Sequence, residues 1–187
     1  MSIDVASVYE SYGIQREDIE RLALAALQEA RVEPIPPIDP IVVAVRLDIP
    51  VQLVEFEDRR VVGKLVRRGG AAEILVRDRD SLHQKCFIVA HELGHARLHA
   101  PPSGDFEFVD HDIYLYSHIY GSGTFGPHED GRRRREVEAN LFAGALLMPE
   151  DEVRREWEHR RSVRDVARIF DVSELALRYR IDQLGLW

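Results

Sequence analysis

The pentad His91-Glu92-Leu93-Gly94-His95 lies inside a strongly helical stretch and decides how the rest of the chain is interpreted. On a helix, two residues that are four apart are separated by one turn and by roughly 40° about the axis. Both imidazoles can therefore reach one tetrahedral metal ion, which is how such pentads bind zinc. Glu92 projects beside the pair, where a general base can take a proton from a water that the metal acidifies. The pentad predicts metal-assisted peptide hydrolysis.

A catalytic zinc ion held by two histidines also needs a third protein ligand and an open position for water. The residues after His95 lack the glycine turn and the distal histidine of the metzincin arrangement. A carboxylate on a second helix is therefore expected instead. Glu136 and Glu138 are the candidates, and on a helix they point about 200° apart.

We predict that Glu136 is the third ligand, because the residues on its helix face are small. A helix with a small-residue face can approach the pentad helix closely at Gly94. The small residues on this face are Ala139, Asn140 and Ala143. Glu138 stays the alternative metal ligand, although its face is bulkier and suits a partner for an arginine.

Two further polar residues are predicted to support the ligands from behind. Asn140 lies one turn beyond Glu136 and can hydrogen-bond the far nitrogen of a liganding imidazole, which fixes its tautomer and ring angle. His99 lies one turn after His95, and we interpret it as a supporting or structural residue rather than a ligand. A purely structural metal site would need a fourth protein ligand, and His99 would then be the candidate.

Composition restricts the class of protein. A chain of 187 residues can bury a real core as one domain, alone or with a small appendage. The single cysteine, Cys86, excludes a cysteine-rich zinc site and suits a reducing cytosol, where it would be a small buried hydrophobic residue. Residues 1–12 lack the pattern of a signal peptide, and the apolar runs are too short to cross a membrane. We expect a cytoplasmic protein.

The residue pattern predicts an α+β fold in which a small antiparallel sheet precedes and packs on the pentad helix. Strands are predicted over 51–56, 60–66 and 71–76. Helices are predicted over 17–32, 40–47, 82–100, 132–147, 150–159, 163–170 and 174–184. We divide the chain into an N-terminal helical segment with a proline-rich linker (1–38), a core (39–149) and a C-terminal helical subdomain (150–187).

Residues 101–131 are predicted to form a long loop with at most one short element, around Tyr114. The segment is rich in aromatic and histidine side chains that could stabilise a tetrahedral oxyanion, although simple packing over the core is the favoured interpretation. These side chains are His111, Tyr114, Tyr116, His118 and Tyr120.

The last two predicted helices have the form of a helix-turn-helix unit with a Val172-Ser173 junction. Arg178 and Arg180 lie on the second helix, but acidic residues flank them and the net charge of the chain is −8. Affinity for DNA depends mainly on positive charge, so direct DNA binding is not expected. The alternative function is a DNA-binding or repressor-sequestering regulator with a non-catalytic metal site.

Four segments of the chain closely resemble the ImmA/IrrE family of bacterial metallopeptidases, and the resemblance extends from about residue 39 to residue 186. The segments are Ala90-His91-Glu92-Leu93-Gly94-His95, Leu98-His99, Glu136-x-Glu138-Ala139-Asn140-x-Phe142-Ala143 and Leu146-Leu147-Met148-Pro149. The resemblance implies a zincin-like core with a gluzincin-like zinc site of His91, His95 and Glu136, and Glu92 as the catalytic acid and base. Sites of this ligand type also accept Mn²⁺.

The resemblance also implies a substrate, namely a helix-turn-helix repressor whose cleavage releases stress-response or mobile-element genes. Longer members of the family carry a further sensor-like domain, for which this chain is too short. We expect the repressor segment to bind extended beside the strand 71–76, through main-chain hydrogen bonds at a sheet edge.

Overall fold

The computed structural model describes residues 15–111 and 130–187, which form seven helices and a four-stranded sheet. In chain order the elements are α1 (Arg16–Glu29), α2 (Pro40–Arg46), β1 (Val51–Val54), β2 (Val61–Arg68), β3 (Ala71–Arg77), α3 (Leu82–Leu98), β4 (Phe106–His111), α4 (Asp130–Leu147), α5 (Glu150–Arg160), α6 (Val163–Phe170) and α7 (Glu174–Gln183). The predicted α+β class is confirmed. No described helix is both long and apolar enough to cross a membrane.

Local capping signals start several helices where the sequence predicts. Ser81 and Gln84 form a reciprocal capping box at the start of α3, so two backbone N–H groups that lack helical partners are satisfied. Asp39 caps α2 and Pro40 occupies its first position. These short-range interactions fix the register of α3, and with it the direction of the pentad side chains.

The sheet has the order β1-β3-β2-β4 and is mixed. β2 and β3 form the expected antiparallel hairpin, closed by Gly69 and Gly70 at φ values of 58° and 89°. The prediction of a wholly antiparallel sheet is wrong, because β1 runs parallel to β3. It pairs with the edge of β3 that is not bonded to β2.

The expectation that strand 71–76 offers an edge to a substrate is also wrong. This strand is β3, which is hydrogen-bonded to β1 on one side and to β2 on the other. The edges of the described sheet are β1 and β4. A peptide that extends this sheet must therefore pair with one of those two strands.

β4 itself lies in the segment that the sequence predicts to be a loop. Residues 106–111 pair antiparallel with β2, although their alternation of apolar and charged residues is too short to indicate a strand alone. His111 ends this strand, whereas Tyr114, Tyr116, His118 and Tyr120 lie outside the described residues. For those four residues the favoured interpretation, simple packing over the core, stays a prediction.

α3 and α4 pack closely at the expected point. A Cβ added to Gly94 would lie 3.0 Å from both Cα and the carbonyl oxygen of Ala139, and 3.1 Å from Cβ of Phe142. Real side chains rarely tolerate such contacts, so glycine permits the approach of the two helices. The close crossing brings Glu136 over the pentad.

The C-terminal helices are held to the rest of the fold by a buried arginine. Arg180 of α7 is 1% exposed, and its Nε donates to the carbonyl oxygen of Met148 at 2.9 Å. Its Nη2 donates to Oε2 of Glu20 on α1 at 2.8 Å. One of the two arginines considered for DNA contact is thus a core residue, which removes it from any phosphate-binding surface.

Candidate metal centre

Four buried side chains from three elements converge on one point. They are His91 and His95 of α3, Asp110 of β4 and Glu136 of α4. The Nε2 atoms of the two histidines are 3.0 Å apart. Oε2 of Glu136 lies 3.4 and 3.7 Å from these nitrogens, and Oδ2 of Asp110 lies 3.2 and 3.6 Å from them.

These separations fit a tetrahedral divalent ion. Zinc bonds of about 2.0–2.2 Å to nitrogen and oxygen place neighbouring ligand atoms about 3.3–3.5 Å apart. Oδ2 of Asp110 and Oε2 of Glu136 are buried without a hydrogen-bond donor among the described residues. Two such carboxylate oxygens facing two imidazole nitrogens require a positive charge between them. The chemistry of this donor set suits a bound metal ion.

The hydrogen bond of His91 selects the tautomer that a metal ligand needs. Nδ1 of His91 donates to Oδ1 of Asn140 at 2.9 Å, because an amide oxygen can only accept. The lone pair of Nε2 then points at the centre. Asn140 makes the contact that the sequence predicts.

His95 is held in the same way by a longer chain of contacts. Burial lowers the pKa of His99 to about 4, so this histidine is neutral near pH 7. Its Nε2 donates to Oε2 of Glu138 at 3.0 Å, which leaves its Nδ1 to accept from Nδ1 of His95 at 2.9 Å. Arg134 in turn donates to Glu138 at 2.9 Å.

His99 and Glu138 therefore lie behind His95 and not at the centre. This position agrees with the supporting role expected for His99. Neither His99 nor Glu138 belongs to the group of side chains that converge on the centre. The ring of Phe108 stacks on His95 at a centroid distance of 4.9 Å and an angle of 14°, which fixes the imidazole plane from the sheet side.

Glu92 is fully buried beside the centre, in space that a glycine leaves free. A Cβ on Gly63 of β2 would collide with Oε1 of Glu92 and would lie 2.6 Å from Cγ2 of Ile88. Burial raises the pKa of Glu92 well above that of an ordinary carboxyl, and the neighbouring charges of Asp110 and Glu136 raise it further. A carboxyl in this environment binds a proton more readily than an exposed carboxyl does.

The pKa shifts of His91 and Glu136 both favour the charged form of the side chain. Burial alone would lower the pKa of His91, but the charges of Asp110 and Glu136 outweigh it and raise that pKa to about 10. For Glu136, the interaction with the two histidines outweighs burial and holds its pKa well below the usual range. A metal ion would replace the proton that satisfies these carboxylates.

Asp110 is the residue that sequence reasoning missed. The β2–β4 register pairs Val61 with His111 but Gly63 with Asp110, so a bulge in β2 lies beside Asp110. Bulges turn side chains out of the regular alternation and are frequent next to active sites. No spacing to His95 signals this aspartate, because only cross-strand pairing brings it to the centre.

A cavity of about 550 Å³ lies apart from the metal centre. It is bounded by the first half of α3, by α4 and by the α6–α7 pair, and its walls are mainly apolar. Cys86 lines it and is half-buried rather than fully buried as expected. Asn140 borders both this cavity and His91.

The fold and the site together define an α+β protein with a buried centre of histidines and carboxylates. The model of the IrrE N-terminal-like domain, Peptidase M78, matches residues 44–182, which is most of the chain. The chain therefore belongs to this family, as the resemblance of its motifs indicates.

One solved structure shows the same fold in a longer protein. A Mycobacterium tuberculosis transcriptional regulator is similar with a TM-score of 0.62 and 17% sequence identity, over 96% of this chain and 52% of that chain. The chain thus spans about half the length of that regulator. A comparison with curated proteins found no match.

Proposed function

We propose that the protein is a metal-dependent endopeptidase. The observation that carries this proposal is the convergence of His91, His95 and Glu136, with the fully buried Glu92 beside them. His91, His95 and Glu136 would hold the ion. The proposed ion is zinc, and Mn²⁺ is an alternative. A divalent ion bound there would acidify a water molecule and polarise the scissile carbonyl.

Glu92 is proposed to move the proton of that water to the leaving amine. Its raised pKa suits this role, because the same carboxyl must first accept a proton and then keep it until the peptide bond breaks. Asn140 and His99 position the imidazoles through their Nδ1 atoms. Glu92 is 0% exposed, so its carboxyl does not face bulk solvent.

The proposed substrate is a helix-turn-helix repressor protein. Membership of the IrrE N-terminal-like family supports this class of substrate. An extended segment of the repressor is proposed to pair with β4, which among the described strands is bonded only to β2 and lies beside the centre. Main-chain hydrogen bonds at such an edge give affinity with little dependence on side chains.

Direct DNA binding is not proposed. Arg180, on the second helix of the helix-turn-helix-like pair, is buried against Met148 and Glu20. A buried arginine that is already paired offers nothing to a phosphate. The net charge of −8 likewise disfavours binding to DNA.

A cleavage assay tests the proposal. The purified protein is incubated with zinc and with a purified helix-turn-helix regulator encoded next to it, and the products are identified by mass spectrometry. Cleavage should stop with a chelator and with Glu92→Gln, while Glu17→Gln, at a side chain on α1 that is 72% exposed, should cut normally. Cleavage by Glu92→Gln at the wild-type rate would overturn the proposed mechanism.

A further inference from the structure

We infer that Asp110 is a fourth protein ligand that closes the metal centre, so that its carboxylate must leave before water and substrate can reach the ion. This inference rests on the proposed metal centre but not on the proposed peptidase activity. Hydrolytic zinc sites keep one position open for water, whereas a centre with four protein ligands has none.

Distance does not rank Asp110 behind Glu136 as a ligand. Oδ2 of Asp110 lies 3.2 Å from Nε2 of His91 and 3.6 Å from Nε2 of His95. The corresponding distances for Oε2 of Glu136 are 3.4 and 3.7 Å. Both aspartate and glutamate are buried and present an oxygen to the same point. The four ligand atoms all lie within 4.8 Å of one another, as a four-coordinate site requires.

Glu92 indicates that the closed centre belongs to an enzyme and is not simply structural. Burying a carboxyl costs free energy, and a metal site that only supports the fold gains nothing from a fully buried glutamate beside it. Gly63 of β2 pairs with Asp110, and it is also the residue whose added Cβ would collide with Oε1 of Glu92. The aspartate and the proposed general base therefore lie next to the same residue of β2.

Asp110 is also the ligand on the least restrained element. His91, His95 and Glu136 project from α3 and α4, two long helices whose packing is fixed at Gly94 and Ala139. Asp110 is the last but one residue of β4, which among the described strands pairs with β2 alone. Strands with few neighbours open at lower free energy than packed helices.

The register of the sheet places the weakest pairing next to this ligand. β2 and β4 pair regularly from Arg67 and Phe106 up to Gly63 and Asp110, and the register then shifts. Release of the strand end would withdraw Asp110 while the rest of the ladder stays paired. A peptide that pairs with the outer edge of β4 would act directly on this strand, so substrate binding and opening of the centre would be coupled.

Metal binding without any substrate tests the inference. Zinc affinity, measured by competition with a chromophoric chelator, should fall by more than about 100-fold in Asp110→Ala, because a ligand is lost, whereas loss of an orienting residue alone typically costs about 10–100-fold. In the cobalt(II) proteins in D₂O, pulsed EPR should show no coordinated water in the wild type and a coordinated water in Asp110→Ala. Glu107→Gln, on the same strand, should behave as the wild type in both measurements.

Either of two results would overturn the inference: a coordinated water in the wild-type cobalt protein, or wild-type zinc affinity in Asp110→Ala. If Asp110→Ala does not fold, as judged by circular dichroism, Asp110→Asn preserves the shape, removes the charge and should show the same loss of affinity. These measurements contain no peptide, so they stand even if the cleavage assay fails. Conversely, cleavage that depends on Glu92 would stand if Asp110 proved not to be a ligand.

Discussion

Gly94 of α3 lies against Ala139 of α4 with no room for a side chain between them, since an added Cβ would be 3.0 Å from the alanine backbone. We expect Gly94→Ala to push the helices apart and to move Glu136 away from the two histidines. Overpacking of this kind typically lowers the free energy of unfolding by about 1–3 kcal/mol. Zinc affinity should fall with it, as measured by chelator competition.

Gly144, also on α4, is the matched control for this change. A Cβ there would meet its nearest atom, Oε1 of Gln183, at an ordinary 3.7 Å. Gly144→Ala should therefore raise the free energy of unfolding by about 0.5–1 kcal/mol through helix propensity alone. Equal stability and equal zinc affinity in Gly94→Ala and Gly144→Ala would contradict the close-packing argument.

Gly63→Ala should separate metal binding from catalysis. The new methyl group would collide with Oε1 of Glu92 and would displace that carboxyl, while none of the three atoms nearest to it belongs to a metal-binding side chain. We expect the cleavage rate to fall at least about a hundredfold, as is typical when a general base is misplaced. Zinc content by mass spectrometry should stay close to one ion per chain. Full activity in this variant would show that Glu92 is not the base.

His99→Ala tests the chain of contacts behind His95. Loss of a residue that orients a ligand typically weakens metal binding by about 10–100-fold, whereas loss of a ligand is far more severe. We expect His99→Ala to fall in that range and His95→Ala to lose zinc almost completely, in a common competition assay. Equal losses in the two variants would mean that His99 itself binds the ion.

Glu20→Ala should destabilise the whole fold, because it leaves the guanidinium of Arg180 buried without its carboxylate. Removal of one partner from a buried ion pair costs about 3–5 kcal/mol in the free energy of unfolding. Glu17→Ala on the same helix removes a side chain that is 72% exposed and should change stability by less than about 1 kcal/mol. Urea unfolding of both variants provides the comparison. Similar midpoints would contradict a stabilising role for the pair of Glu20 and Arg180.

Cys86 should react slowly with alkylating agents. Burial, with a smaller effect of the Asp39 and Asp171 charges, raises the pKa of its thiol, so less thiolate is present at any given pH. The midpoint of the iodoacetamide rate against pH should lie above that of the same cysteine in urea. This single cysteine makes the measurement unambiguous. A midpoint below that of the unfolded chain would contradict the shielding by the cavity wall.

The parts of the fold that short-range chemistry determines could be predicted from sequence. The capping box of Ser81 and Gln84 begins α3, and helical spacing alone places the pentad histidines together. The same spacing distinguishes Glu136 from Glu138, because only one face of α4 is small enough to cross α3 at Gly94.

The parts of the fold that depend on pairing between distant strands could not be predicted from sequence. β1 pairs in parallel with β3, and Asp110 lies beside a bulge in β2; both arrangements depend on residues that are distant in the chain. The burial of Arg180 could not be predicted for a related reason. A basic residue on a short helix suggests a position on the protein surface, but Glu20 pairs with the Arg180 guanidinium inside the fold. Long-range partners are not visible in a local pattern.

The contact between Glu20 and Arg180 joins positions that are 160 residues apart. Closing so long a loop costs conformational entropy before the contact returns any stability. Translation proceeds from the N terminus, so all four residues of the metal centre are made before Arg180. The contact that fastens α1 to α7 therefore depends on a residue that is made after the whole metal centre.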